Sequence, residues 1–163
     1  ATTGIYTLSL HDALPISGGV ADTRGVLAAF SLGAEGVQVG TRFVCATESN
    51  AHRAYKNEIL KARDRSTAVT GASTGHPVRC IQNRLTREFE RLEKAGAPVE
   101  EIEKLGTGRL RAAVVDGDVD FSSVMAGQSA ALVDRMQPAA EIIRELFDGT
   151  QDMIERLQGL TNQ

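Results

Sequence analysis

The chain has 163 residues, of which 42% are apolar and 24% are charged, a length and composition typical of one globular domain. Its 18 basic and 21 acidic residues are interspersed, and five Phe, two Tyr and no Trp offer no stacking platform, which disfavours nucleic-acid binding. No apolar run approaches the roughly 20 residues of a membrane span, and Cys45 and Cys80 lack the spacing of a metal site or a disulfide framework. We therefore expect a cytoplasmic protein with no metal centre.

Residues 1–16 do not have the pattern of native sequence. The run Tyr6–Ile16 has neither the alternation of a strand nor a helical face that continues past Ile16, and it resembles the translated adapter peptides found at truncated ends of assembled reads. A signal peptide is disfavoured because a basic start and a small-residue cleavage site are missing. We set residues 1–16 aside as a non-native leader, which leaves the strand before the first glycines in doubt.

Two short glycine turns come next in the chain, Gly18-Gly19 and Gly40-Thr41. Glycine lets backbone N–H groups approach an anion closely, and a helix that begins at such a turn adds its positive end. We predict that the two turns converge on one phosphate. Each could instead be only a tight turn, but an ordered pair separated by one helix and one strand favours the phosphate site.

The stretch between the turns predicts a crossover helix and a strand. Asp22 or Thr23 is the expected N-cap, Gly33 the glycine after the helix, and residues 36–40 alternate as a strand. The expected packing face of the helix is Val26, Leu27 and Phe30. In a (β/α)8 barrel the phosphate site typically lies in the loops after strands seven and eight, which is where we place these turns.

The rest of the chain is predicted to be mainly helical. In chain order we expect a helix through Ala51, Tyr55 and Ile59, short strands at Thr67–Thr70 and Val78–Ile81, a helix through Leu85, Phe89 and Leu92, and a short helix over Leu110–Val115. Two longer helices are expected near the carboxyl terminus, one through Met125, Gln128, Leu132 and Met136, and one from Pro138 through Ile142 and Leu146 to Leu157.

Several segments together resemble the carboxyl-terminal half of the nitronate monooxygenase family of flavin enzymes, over about residues 17–148. The matching segments are Gly18–Asp22, Leu32–Phe43, Glu48–His52, Gly75–Arg79, and Gly117–Asp118 followed by Ser123–Gln128. Within the family, Gly40–Val44, Glu48–His52 and Tyr55–Asp64 look most like the flavin-dependent enoyl-acyl-carrier-protein reductases of bacterial fatty-acid synthesis.

The resemblance implies an α/β fold, the last strands and phosphate loops of a TIM (β/α)8 barrel with additional C-terminal helices, and a bound FMN. By this resemblance the FMN phosphate is held by Gly18, Gly19, Gly40 and Thr41, and Gln38 and Val39 line the same loop. The segment Ser123–Gln128 is expected to close over the flavin ring, with Ser123, Met125 and Gln128 as the contacting residues. Alternatively, this segment is the start of a helix whose small residues pack against the barrel.

Three functions stay open for the intact parent. The first is an enoyl reductase that passes a hydride from NADH or NADPH, through the flavin, to a small-molecule or acyl-carrier-protein-bound enoyl thioester, or the related nitronate monooxygenase, which uses oxygen. The second is a barrel of the inosine-monophosphate dehydrogenase type, which requires a catalytic cysteine loop that is absent from residues 17–163 and would have to lie upstream of them. The third is a non-catalytic interaction module. The resemblance also leaves a homodimer open.

No catalytic base can be carried over, because the family's proposed catalytic histidine belongs to a segment upstream of this sequence. His52 is a candidate on position alone, although helix capping is the favoured role for a single histidine there. Two strands cannot close a barrel of about 250 residues. We therefore expect little or no turnover from the isolated chain.

Overall fold

The computed structural model describes residues 15–161. Residues 1–14 of the expected leader lie outside this range, whereas Pro15 and Ile16 belong to the first strand. The elements are β1 (Pro15–Ser17), α1 (Thr23–Ser31), β2 (Gly36–Gln38), α2 (Thr41–Val44), α3 (Arg53–Leu60), β3 (Thr67–Thr70), β4 (Val78–Ile81), α4 (Arg84–Lys94), α5 (Val99–Gly106), α6 (Arg109–Arg111), α7 (Ala139–Phe147) and α8 (Thr150–Thr161). A π-helical turn over Ala112–Asp116 continues α6, and 3-10 turns cover Ala72–Thr74 and Gln128–Leu132.

The first three elements form the predicted crossover unit. β1 and β2 pair in parallel, with Ser17 opposite Gln38, so both glycine turns come after the carboxyl ends of neighbouring strands. Asp22 is the N-cap of α1, because its side chain accepts a hydrogen bond of 3.1 Å from the Gly25 N–H. Gly33 lies just after the helix with φ +93°, as predicted.

The packing face of α1 differs in part from the prediction. Val26 is fully buried and Ala29 nearly so, against a cluster that includes Ile142 and Leu146 of α7. Phe30 is 39% exposed, so its assignment to the packing face is wrong. Val26 packs into the cluster to which α7 contributes, and Phe30 is not part of that cluster.

A β-hairpin forms where the two short strands were predicted. β3 and β4 pair antiparallel with Val69 opposite Arg79. The segment 124–126 then runs along β4, since the Ile81 N–H donates to the Val124 carbonyl at 2.8 Å and the Ala126 N–H donates to the Arg79 carbonyl at 3.1 Å. The predicted helix through Met125 and Met136 is therefore wrong: its first part is extended, and only Gln128–Leu132 makes a helical turn.

The carboxyl-terminal helix is also divided. α7 ends at Phe147, and α8 begins at Thr150 after Gly149, whose φ is +79°. Ile142 and Leu146 are buried as predicted. Helix α5, which begins after Pro98, has no counterpart among the helices predicted from the sequence.

Three apolar clusters make the core. One surrounds Ile59 and Val124, a second lies between α1 and α7, and a third joins α4 to α5 through Leu85 and Ile102. Several large apolar side chains are exposed, among them Leu32 at 76% and Ile143 at 52%. None of the helices in the described range has the length and apolar character required to cross a membrane.

Candidate functional site

The two glycine turns line one cleft of about 280 Å³. The cleft is lined by Gly18, Gly19, Val20, Gln38, Gly40, Thr41, Gly127 and Ser129. The two turns therefore face a common region, and a phosphate bound by both of them stays a prediction. They lie side by side because β1 and β2 are adjacent parallel strands whose carboxyl ends meet at one edge.

The first turn has a backbone that favours glycine. Gly18 and Gly19 have φ values of +87° and +79°, in the left-handed region that side chains rarely adopt. Outside the β1–β2 ladder, no acceptor among the described residues takes a hydrogen bond from the N–H groups of Gly19 or Gly40. These N–H groups are therefore available to an anion in the cleft.

The second turn contributes a hydroxyl. The Thr41 Oγ1 accepts a hydrogen bond of 2.9 Å from the Gly127 N–H. Because that bond uses the oxygen as acceptor, the hydroxyl proton can still be donated to an anion. The helix that begins at Thr41 is only four residues long, so its dipole adds less than a full helix at this turn would add.

A second cleft of about 350 Å³ adjoins the first and shares Gly40, Thr41 and Gly127 with it. Its other lining residues are Val44, Tyr55, Arg79, Met125 and Ala126. The Tyr55 hydroxyl donates to the Met125 carbonyl at 2.7 Å, which fixes the extended segment against α3. Burial raises the pKa of Tyr55 well above its ordinary value, so this donor stays protonated at neutral pH.

A third cavity, of about 260 Å³ and mostly apolar, opens beside the second and shares Met125 with it. It lies between the β3–β4 hairpin and helices α4 to α6. Val78, Phe89, Ile102 and Leu110 supply apolar walls, and Ser123 and Met125 close one side.

The structure brings five of the predicted site residues together in the first cleft and places the other four elsewhere. Gly18, Gly19, Gln38, Gly40 and Thr41 line the first cleft together. Met125 lines the second and third cavities, and Ser123 lines only the third. Val39 lies outside the cavities and packs into the core between α1 and α7, and Gln128 is exposed at the start of a 3-10 turn.

Gly127, Arg79 and Ser129 are among the lining residues that were not predicted as site residues from the sequence. Gly127 and Arg79 both lie inside segments that carry the family resemblance, so the motifs contained them without indicating their position. Ser129 has no such signal, since it reaches the cleft only because the chain turns after Gly127.

His52 has a structural position. Its Nδ1 accepts a hydrogen bond of 3.1 Å from the Ala54 N–H, which makes it the N-cap of α3. A Cβ placed on Gly117 would overlap the His52 ring, so the imidazole lies directly against the Gly117 backbone. His52 lines none of the three cavities.

Buried polar residues hold the second turn in place. Arg42, only 5% exposed, donates to the Arg135 carbonyl at 3.0 Å, the Gln137 Oε1 at 2.6 Å and the Glu145 Oε2 at 3.1 Å. Because Arg42 directly follows Thr41, these contacts fix the cleft residue to α7 and to the segment before it. Preorganised donors lose less entropy when a ligand binds.

Lys56 ties down the loop after α2 in the same way. It is 6% exposed, and its Nζ donates to the carbonyls of Ala46 at 2.6 Å and Ser49 at 2.8 Å. The buried cations Arg42 and Lys56 thus hold the segment that follows the second turn, and neither of them lines the first or the second cleft.

The two cysteines are core residues. Burial raises the pKa of Cys80 to about 11 and also raises that of Cys45, so both are thiols rather than nucleophilic thiolates at neutral pH. Within residues 15–161 no three His, Cys, Asp or Glu side chains are grouped so that they could hold a metal ion.

Comparison with known sequences gives concordant matches. A family model described as nitronate monooxygenase matches residues 8–149, a range that begins inside the segment set aside as a leader. The nitronate monooxygenase of Pseudomonas aeruginosa is 37% identical over 149 residues, which are 88% of this chain and 42% of that protein. A probable nitronate monooxygenase of Staphylococcus aureus is 34% identical over 140 residues, 85% of this chain and 39% of that protein. The chain spans about two-fifths of the length of these curated relatives.

Solved structures match over almost the whole chain. FabK from Thermotoga maritima superposes with a TM-score of 0.87 at 42% identity, covering 94% of this chain and 49% of that one. Nitroalkane oxidase from Streptomyces ansochromogenes superposes with a TM-score of 0.71 at 25% identity, covering 93% of this chain and 43% of that one. The fold prediction is confirmed: the chain folds as part of a TIM barrel, with additional C-terminal helices.

Proposed function

Because the chain belongs to the nitronate monooxygenase family, we propose that it is the part of an FMN-dependent oxidoreductase that binds the phosphate of the cofactor. One observation carries this proposal: both glycine turns and the Thr41 hydroxyl line a single cleft at the carboxyl ends of two parallel strands. In TIM barrels this edge is where phosphate groups and active sites lie.

The residues present fit a phosphate group. The cleft is lined by Gly18, Gly19 and Gly40, of which Gly19 and Gly40 have N–H groups without an acceptor among the described residues, and Thr41 adds a hydroxyl with a proton to donate. No heavy atom lies within 4 Å of an ideal Cβ position on any of these three glycines, so there is open space over the backbone. No described carboxylate lines the first or the second cleft to repel an anion.

The second cleft suits the remainder of the cofactor. It continues from Gly40 and Thr41 to Met125, and the Tyr55 bond to the Met125 carbonyl keeps that wall rigid. When bound there, the flavin would supply the redox chemistry, while these residues hold and orient it.

For the reaction of the whole protein we favour reduction of an enoyl thioester carried by acyl carrier protein, with NADH or NADPH as the reductant. The likeness of Gly40–Val44 and Tyr55–Asp64 to enoyl reductases supports this, as does the overall similarity to FabK. The third cavity supports it too. Its apolar walls next to Met125 would accept a hydrocarbon chain, which a small nitronate lacks.

Oxidation of a nitronate by oxygen is the second candidate, supported by the names of the curated relatives and of the Streptomyces neighbour. A dehydrogenase that uses a cysteine nucleophile has less support, because the family model and the curated relatives that match are nitronate monooxygenases. A non-catalytic module would not need a cleft with free N–H groups.

Two experiments test the proposal. The full chain is titrated with FMN, and quenching of flavin fluorescence with one FMN per chain is expected. Residues 17–163 are then grafted onto the amino-terminal part of Thermotoga maritima FabK and, separately, of the Pseudomonas aeruginosa enzyme. NADH-dependent reduction of crotonyl thioester by both hybrids supports the reductase. Oxygen uptake with a nitronate by both supports the monooxygenase, and absence of FMN binding by the chain contradicts the cofactor assignment.

A further inference from the structure

Arg79 is the only charged side chain that lines either of the two joined clefts within the described part of the chain. Every other lining group is a backbone amide, a hydroxyl, an amide side chain or an apolar side chain. A phosphate monoester carries about −1.5 to −2 charges at pH 7. Neutral donors alone leave that charge without a counterion.

The guanidinium of Arg79 has unused donors. It is partly buried on β4, and its Nη1 donates to the Thr67 Oγ1 at 3.1 Å across the hairpin. A guanidinium has five N–H donors, and among residues 15–161 Thr67 is the sole acceptor for Arg79. No described carboxylate forms an ion pair with it, in contrast to Arg42, Arg84, Arg91 and Arg135. The remaining N–H groups and the charge of Arg79 are therefore open to an anion that enters the cleft.

The position of Arg79 relates it to the glycine turns. It shares its cleft with Gly40, Thr41 and Gly127, the three residues that also line the first cleft. The Arg79 carbonyl is fixed by the Ala126 N–H at 3.1 Å, directly before Gly127. The side chain therefore begins close to the wall that both clefts have in common.

We propose that Arg79 binds the phosphate oxyanion that lies at the two glycine turns and supplies its positive counter-charge. This inference rests on the proposed FMN site. Thr67 holds one edge of the guanidinium, and the remaining N–H groups donate to the phosphate oxygens, which prefer the planar fork of arginine. A merely structural Arg79 would serve only to join β3 and β4 through Thr67.

Riboflavin separates these roles, since it has the ring of FMN and no phosphate. Wild-type chain, Arg79→Gln, Arg79→Lys and the control Arg87→Gln are titrated with both flavins by fluorescence quenching. We expect Arg79→Gln to weaken FMN binding roughly 10- to 100-fold and to leave riboflavin binding within about twofold. Arg79→Lys should recover part of the loss because the charge is kept. Arg87→Gln should change FMN binding by less than about threefold, because Arg87 is exposed on α4 and lines none of the three cavities.

Equal loss of FMN and riboflavin affinity, or no loss of either, would overturn the role of Arg79 and leave the flavin site standing. Failure of the flavin assignment would give a different result. If the wild-type chain binds neither flavin, inorganic phosphate is titrated and followed by ³¹P NMR. Weaker phosphate binding by Arg79→Gln than by wild type then supports Arg79 as an oxyanion ligand while the flavin assignment fails. Equal phosphate binding, or none, overturns both.

Discussion

The Thr41 hydroxyl and the Gly127 N–H meet at 2.9 Å across 86 positions of sequence. This bond joins the turn after β2 to the end of the extended segment that pairs with β4. It brings the crossover unit and the hairpin, two separately predicted parts of the chain, to one cleft. Binding at that cleft should therefore depend on both residues.

Removing the Thr41 hydroxyl should weaken FMN binding. Thr41→Val keeps the shape of the side chain but leaves the Gly127 N–H without its acceptor and removes a donor to the phosphate. A hydrogen bond to a charged group is worth about 1.5–3 kcal/mol, so we expect at least a tenfold higher Kd by fluorescence titration. Thr41→Ser keeps the hydroxyl and serves as the control. Equal affinities of the two variants would contradict the proposed role.

Filling the cleft at Gly127 should have the same effect without loss of stability. Gly127 has φ −72° and ψ 170°, values that any residue adopts, and an added Cβ would lie 3.6 Å from the Thr41 Oγ1, an ordinary contact. Gly127→Ala should thus fold normally, with a Tm within about 2 °C of wild type, and place a methyl group where the ligand lies. We expect a clearly higher Kd for FMN. Gly36→Ala in β2, which lines none of the three cavities, is the matched control, and a similar Kd for both would argue against a ligand at Gly127.

The elements that could be predicted from sequence are those set by local chemistry. Asp22 and Gly33 mark the ends of α1 because one side chain caps free N–H groups and the other residue tolerates a positive φ. The same reasoning located the turns at Gly18-Gly19 and Gly40-Thr41, which come after strands that pair in parallel.

The errors arose where distant partners override periodicity. Met125 and Met136 have helical spacing, yet the Ile81 and Ala126 backbone bonds hold the first part of that segment extended against β4. A pattern of apolar residues carries no information about such partners. Arg79 was missed as a cleft residue for the same reason, because only the folded hairpin brings β4 beside Gly40.

Breaking the Arg42 network should destabilise the fold. Arg42→Met leaves the buried Gln137 side chain and the Arg135 carbonyl without their donor, at a cost of roughly 1–3 kcal/mol in the free energy of unfolding measured in urea. Arg42→Lys should recover little, since one ammonium cannot reproduce the planar fork. Arg91→Met breaks an exposed pair with Glu88 and should cost at most about 0.5 kcal/mol. Equal losses for Arg42→Met and Arg91→Met would refute the structural role of Arg42.

Acid should destabilise the start of α7 by protonating the Glu48 carboxylate. Pro138 precedes this helix and cannot cap it, and the Glu48 carboxylate accepts instead from the Ala139 N–H at 3.0 and 3.2 Å. Hydrogen bonds from its own N–H and from Ala139 lower the pKa of Glu48 below the ordinary value of 4.5. A lowered pKa means that the contribution to stability is present above that ordinary value and is lost as pH falls through the folded-state pKa.

Glu48→Gln should therefore have a lower Tm than wild type at neutral pH, and the difference should shrink on acidification from about pH 6 to about pH 3. The reason is that the amide still accepts weakly but no longer carries a charge opposite the positive end of α7. Glu35→Gln is the control, because Glu35 is exposed and makes no hydrogen bond with its side chain among the described residues. Parallel Tm curves for wild type and Glu48→Gln across this range would show that Glu48 does not hold the start of α7.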